Sequence, residues 1–231
     1  MKQPSDKVAV NRNMRSYISY GLNILIVISV GIGTYIMLNQ HGDGAGLTSS
    51  GLENLKYFTV LSNEFCGIVA AFWVVADVLG KKFPILLKLM AASAVGLTFF
   101  IVAAFLAPMY PDLNMYEDGN LWFHLIVPLA GMAEFCLLKT NKKLPFRFAC
   151  ISASPALIYG ICYLVNILIN GVGTWPDTND WYGFLNWGYP VGIVIFAAIV
   201  LMDFGMAVLL RAVNILINKL VAGDRRCDHE F

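Results

Sequence analysis

Six apolar stretches, each close to the length that crosses a bilayer, constrain this chain more than any other feature. They cover residues 17–38, 57–79, 84–107, 121–138, 146–169 and 187–210. A helix needs about 20 mainly apolar residues to span the hydrocarbon core, where every backbone amide and carbonyl must be satisfied by the chain itself. The connections are short, so neighbouring helices are expected to run antiparallel in one bundle. Composition agrees, with 58% of the 231 residues hydrophobic and only 13% charged, against about a quarter charged in soluble domains. The expected fold is all-α, a polytopic membrane protein built as a six-transmembrane-helix bundle. It occupies residues 17–210, between a cytoplasmic N-terminal tail at 1–16 and a cytoplasmic C-terminal tail at 211–231.

Charge sets the expected orientation. Of the 16 Lys and Arg residues, Lys56 alone falls on one side. The rest lie in the two tails, in the second connection (Lys81, Lys82 and Lys88) and in the fourth. Cationic residues remain on the cytoplasmic side during insertion, which places both termini inside. The opposite side is acidic and aromatic, with Asp112, Glu117, Asp118 and Asp180 among Tyr110, Trp122, Trp181 and Tyr182. An interfacial aromatic belt accounts for much of this, and an aromatic-walled vestibule is a second use of the same rings. The polar N-terminus and the lack of a clear cleavage pattern predict a retained signal anchor. No Asn-x-Ser/Thr sequence occurs, which favours a bacterial plasma membrane.

Several function classes drop out. There is no basic stripe interleaved with aromatics, so nucleic acid is not an expected partner. The five cysteines form no CxxC pair, and the histidines at 41, 124 and 229 are scattered. Neither a metal site nor any other cofactor is expected. No protein partner is evident, which leaves the lipid bilayer and a lipid ester or fatty-acid ligand.

Two polar residues at one depth stand out. Thr59 opens the second stretch and His124 opens the fourth, both entering from the acidic side. An intramembrane imidazole needs a partner or water and is usually put to use. A hydroxyl beside an imidazole is the minimum equipment for nucleophilic ester chemistry. Around Thr59, helical spacing places Asn63 and Cys66 on its face, with Ser62 beside them. Phe58, Ser62, Trp122 and Tyr159 are the expected lining for a substrate. Glu64 is the carboxylate best placed to orient His124, and Tyr163 or Asn166 could donate to an oxyanion. The last two belong to a stripe of Tyr159, Tyr163, Asn166 and Asn170 on the fifth helix. The plainer readings are a back-bonded Thr59, a His124 bonded across helices, and a stripe that glues helices together. Glu134 lies about 15 Å deeper than His124 by the helical rise. Asp77 and Asp203 are expected to pair with Lys81 and Arg211.

The run Lys56-Tyr57-Phe58-Thr59-Val60-Leu61-Ser62-Asn63, followed later by His124-Leu125-Ile126-Val127-Pro128, resembles the androgen-induced and androgen-dependent family of membrane threonine hydrolases, including its bacterial six-helix relatives. The segment from Tyr159 to Phe184, with its aromatic loop Asp180-Trp181-Tyr182-Gly183-Phe184, is similar as well. The resemblance implies a six-helix intramembrane hydrolase of fatty-acid esters of hydroxy fatty acids, with Thr59 as nucleophile and His124 as its base. Ser62-Asn63-Glu64 is closer to the bacterial branch, which leaves the substrate open. Two other classes compete with this expectation. One is a non-catalytic lipid-binding or lipid-sensing protein. The other is a small-solute transporter using Glu64, Glu134 and Asp203, against which stands the lack of an internal repeat.

Overall fold

Helix follows apolar sequence throughout the chain. The computed structural model describes residues 4–39, 51–140, 143–174 and 178–227, so His41 and His229 lie outside the described residues. Six helices are long and apolar enough to cross a membrane. They are α1 (Pro4–Asn39), α2 (Phe58–Val78), α3 (Ile85–Met109), α4 (Asp118–Leu137), α5 (Phe146–Asn170) and α6 (Tyr189–Cys227). A short 3-10 helix, Gly51–Lys56, leads into α2. The described residues contain no strand. The helices overrun the expected tails at both ends: α1 starts at Pro4 and α6 continues to Cys227, because polar flanks extend a helix already nucleated by its apolar span.

Helix α3 is the central element, with Leu89, Ala91, Ala92, Ala94, Val95 and Leu97 all buried. Small residues there let neighbouring backbones approach, as is general for helices packed in lipid. A Cβ on Gly96 would come within 2.8 Å of Met206 Cγ and 3.1 Å of Met132 Sδ, so α6 and α4 both pack onto this point.

Helix α5 is interrupted at Ala153, and two further helices widen locally. Residues Val102–Leu106 of α3 and Trp122–Ile126 of α4 widen into π-helix. Pro108 and Pro128 explain both. Each lacks the amide hydrogen that would bond the carbonyl four residues earlier, that of Ala104 in α3 and that of His124 in α4, and a looser turn relieves the clash.

The middle of the bundle holds a buried ion pair. Lys88 Nζ lies 3.1 Å from Glu134 Oε2, and both side chains are almost fully buried. Glu134 Oε1 also accepts from Ser19 Oγ at 2.7 Å and from Asn23 Nδ2 at 2.9 Å, while Lys88 donates to Asn23 Oδ1. The ammonium sits 4.9 Å from the centre of the Trp73 ring. Lys88 is therefore not a loop residue that marks orientation, as expected from sequence, but an interior one, since α3 begins three residues before it. Two further expectations fail here. Among the described residues, no ion pair joins Asp77 to Lys81 or Asp203 to Arg211. Asp77 is exposed, and Arg211 instead donates to the Leu144 carbonyl at 2.9 Å.

Candidate functional site

Thr59 occupies the first turn of α2, where the helix has no side-chain cap: Tyr57 precedes it in extended conformation and offers no acceptor. The orphaned amide of Phe58 is taken instead by the Tyr182 hydroxyl, 2.9 Å away in the loop before α6. Thr59 is half-buried, and its hydroxyl makes no hydrogen bond to any described residue. The back-bond expected of a helix-start threonine is absent. Its carbonyl is heavily used, accepting from Ser62 Oγ at 3.0 Å and from Asn63 Nδ2 at 2.7 Å.

Asn63 carries the link to α4. The same Nδ2 donates at 2.9 Å to the carbonyl of Phe123, the residue before His124. One amide thus holds the Thr59 and His124 backbones at a common level. Asn63 Oδ1 is buried and has no donor among the described residues. Ser62 bonds Thr98 of α3 at 3.0 Å, so three helices meet through hydroxyl and amide groups at this depth.

His124 lies in the π segment of α4 and is 8% exposed. Its Nδ1 is 2.7 Å from the carbonyl oxygen of Met115, in the loop before α4. A carbonyl can only accept, so Nδ1 carries the hydrogen and Nε2 of the neutral ring holds a free lone pair. No described residue bonds Nε2, and no hydrogen bond joins it to Thr59.

Several expected neighbours are engaged elsewhere. Glu64 accepts from Thr34 on α1 and does not orient His124; the Met115 carbonyl fills that role. A position one residue past Asn63 turns about 100° around the helix, which carries Glu64 onto the α1 side. Tyr163 gives its hydroxyl hydrogen to Asp180, and Asn166 bonds Asn179 at 3.3 Å while accepting from Asn170. The single hydroxyl hydrogen of Tyr163 is thereby committed, whereas Asn166 keeps one amide hydrogen, the loop 178–185 folding back onto α5 to engage the other. Asp180, 5% exposed, also accepts from the amides of Phe184 at 3.0 Å and Leu185 at 2.9 Å.

Tyr159 and Phe58 do meet beside Thr59. Their rings pack edge-on with centroids 5.2 Å apart, and the Tyr159 hydroxyl donates to the Lys56 carbonyl at 2.7 Å while accepting from Trp181 Nε1. With Tyr163, Tyr182 and Phe184 they form an aromatic cap over the start of α2. Burial raises the Tyr182 hydroxyl well above its ordinary pKa of 10.0. Trp122 packs with Met37, Val60 and Phe123 against α1.

Sequence reasoning misses Met115, Thr98, Asp180 and Tyr182 as members of this network. Only the last two carry a signal, through the aromatic loop. A cavity of about 460 Å³ lies between α5 and α6, lined by apolar side chains such as Leu157, Phe196 and Leu201. Thr59 and His124 are not on its wall; Tyr163 and Phe184 are shared between cavity and cap. Compared with known proteins, the chain matches no family model, no curated protein and no solved structure.

Proposed function

We propose that this chain is an intramembrane hydrolase of lipid esters, with Thr59 as nucleophile and His124 as general base. One observation carries the reading. Met115 fixes His124 in the tautomer that leaves Nε2 basic, at the level where Thr59 presents a hydroxyl with no competing bond. Both free atoms belong to helix ends tied together by Asn63. The resemblance of the Thr59 and His124 segments to membrane threonine hydrolases supports the same assignment and suggests fatty-acid esters of hydroxy fatty acids as substrates.

In this mechanism His124 Nε2 removes the Thr59 proton as Oγ1 attacks the ester carbonyl carbon. Apo hydrogen bonds of this kind commonly close only with substrate in place. The tetrahedral oxyanion is met by first-turn amides of α2, which lack intrahelical acceptors; Phe58 is excluded because its amide bonds Tyr182. The imidazolium then protonates the departing alkoxide, leaving an acyl-threonine. Water attacks that ester and gives a proton to Nε2, which hands it to the departing Thr59 Oγ1 as the fatty acid is released. The distribution of basic residues supports cytoplasmic termini and a site near the outer leaflet, and the lack of an Asn-x-Ser/Thr sequence favours a bacterial plasma membrane.

The test is release of fatty acid from a lipid ester by purified protein, together with labelling by a fluorophosphonate. Activity and labelling in the wild type, both lost in Thr59→Ala and His124→Ala, is the expected result. A second reading is favoured by the 460 Å³ apolar cavity lying away from Thr59: a lipid-binding protein without turnover. Equal lipid binding by wild type and Thr59→Ala, with no fatty acid released by either, would select it.

A further inference from the structure

Two glycines shape the cavity of about 460 Å³ between α5 and α6. Gly160 of α5 is buried, and the ring of Phe196 from α6 lies where its Cβ would stand. Gly192 of α6 leaves similar room for the loop, since a Cβ there would come within 2.5 Å of Leu185 Cδ2. The helices thus meet through one ring and one loop side chain, with open space around those contacts. Hydrocarbon from Leu157, Leu164, Val200 and Leu201 forms much of the wall. The Tyr163 hydroxyl, the polar side-chain group there, has already given its hydrogen to Asp180.

Depth and access identify the guest. Leu201, the deepest wall residue on α6, lies about 18 Å from the Tyr189 end by the helical rise, and half of the hydrocarbon core is about 15 Å. The cavity therefore extends through the thickness of one leaflet. Leu157, Ile161, Ile193 and Leu201 are exposed, so it opens sideways between two spanning helices, toward the chains of the bilayer. A cavity with apolar walls stays dry and takes hydrocarbon. Phe184 closes the Tyr189 end, where a run of rings leads on to the start of α2. Phe184 packs against Phe196 with centroids 6.2 Å apart and stacks on Tyr182 at 5.1 Å, and the Tyr182 hydroxyl bonds the amide of Phe58, next to Thr59.

We propose that this cavity is a subsite for one acyl chain of the lipid ester, entered from the bilayer, and that Phe196 seated on Gly160 sets the chain length it holds. The assignment deepens the lipid-ester reading of Thr59 and His124 and rests on it for the position of the ester. The chain lies along α5 and α6, its carbonyl end at the aromatic cap and its methyl end toward Leu201. Phe196 crosses from α6 to α5 partway along this path, between Gly192 and Leu201. Alanine at 196 clears the crossing and lengthens the bore. Alanine at 160 puts a methyl group where the ring now sits, so the ring must turn into the cavity and shorten it. Neither residue belongs to the proposed catalytic machinery.

The full chain, purified in detergent, is photolysed with a palmitic acid carrying a mid-chain diazirine, and the labelled peptides are mapped. Unlabelled fatty acids of graded chain length compete. Saturable, competed labelling of residues 157–164 and 192–201 is expected, in the wild type and in Thr59→Ala alike. Phe196→Ala should raise the preference for long over short competitors roughly tenfold, and Gly160→Ala should lower it by a similar factor. Adding Gly160→Ala to Phe196→Ala should change nothing further, because the ring it displaces is gone. Either single variant suffices if the other does not fold. Labelling that does not saturate, or that spreads evenly over the lipid-facing helices, marks ordinary bilayer contact and overturns the proposal. A length preference that both variants leave unchanged overturns it as well. Competed labelling with the expected shifts, in a protein that releases no fatty acid, supports the subsite and ends the hydrolase reading alone.

Discussion

Asn63 on α2 donates to the backbone carbonyl of Phe123 on α4 at 2.9 Å, and to that of Thr59 at 2.7 Å, through the same amide nitrogen. This fixes the two candidate catalytic residues relative to each other with no hydrogen bond between their side chains. The register of the proposed site is therefore held by a third residue that takes no part in proton transfer.

Replacing Asn63 by Leu removes that bridge while keeping the volume apolar. The Phe123 carbonyl loses its donor inside the bundle, a change worth about 1–3 kcal/mol of stability. Unfolding of the purified protein should register this, and ester hydrolysis should fall further than in a control variant of equal stability. Hydrolysis that tracks stability alone would make Asn63 an ordinary helix tie.

Pro128 makes a different test, because it shapes the turn of α4 that carries His124. Its missing amide deprives the His124 carbonyl of the donor four residues on, and the segment Trp122–Ile126 adopts π geometry. Pro128→Ala lets the regular bond return, which rotates His124 about the helix axis. Thermal stability should hold or rise, whereas fatty-acid release and fluorophosphonate labelling of Thr59 should drop by one to two orders of magnitude, about 1.4 kcal/mol of barrier per tenfold. Unchanged labelling would show that the π turn is not what presents His124.

The Lys88–Glu134 pair predicts strong non-additivity. Removing either partner strands a charge among buried groups, and such single changes cost about 3–5 kcal/mol. Lys88→Met combined with Glu134→Met removes both charges and should be far less damaging than the sum of the two. A double-mutant cycle on unfolding free energy measures the coupling. Additive effects would mean that Ser19 and Asn23 satisfy Glu134 without the lysine.

The helices are legible in the sequence and much of the polar wiring is not, for reasons visible at particular residues. Six spans can be read because hydrocarbon thickness imposes a length and apolarity that no other constraint blurs. Thr59 and His124 stand out because a polar residue at the same depth in two spans is uncommon. Glu64 misleads because closeness in sequence is a poor stand-in for closeness in space; one step from Asn63 turns the side chain to Thr34. Lys88 looks like a loop cation because a charge three residues inside a helix end cannot be told from a flanking one without knowing what packs beside it. Met115 leaves no trace at all, since its contribution is a backbone carbonyl that any residue would supply.

Tyr182 couples the aromatic loop to the start of α2, and its titration gives a pH test outside the membrane spans. Its hydroxyl accepts from the Phe58 amide at 2.9 Å, one residue before Thr59. Burial raises its pKa above the ordinary 10.0, so the folded chain holds this proton more tightly than the unfolded chain. The associated stability is fully present below pH 10 and is lost as pH rises from there through the folded-state value. Tyr182→Phe removes the acceptor at a cost of about 1 kcal/mol and should flatten the alkaline limb of the stability curve. Equilibrium unfolding of both proteins between neutral pH and about pH 11 checks the slope. A wild type and a Tyr182→Phe variant with parallel alkaline limbs would mean that other groups carry the whole of the titration.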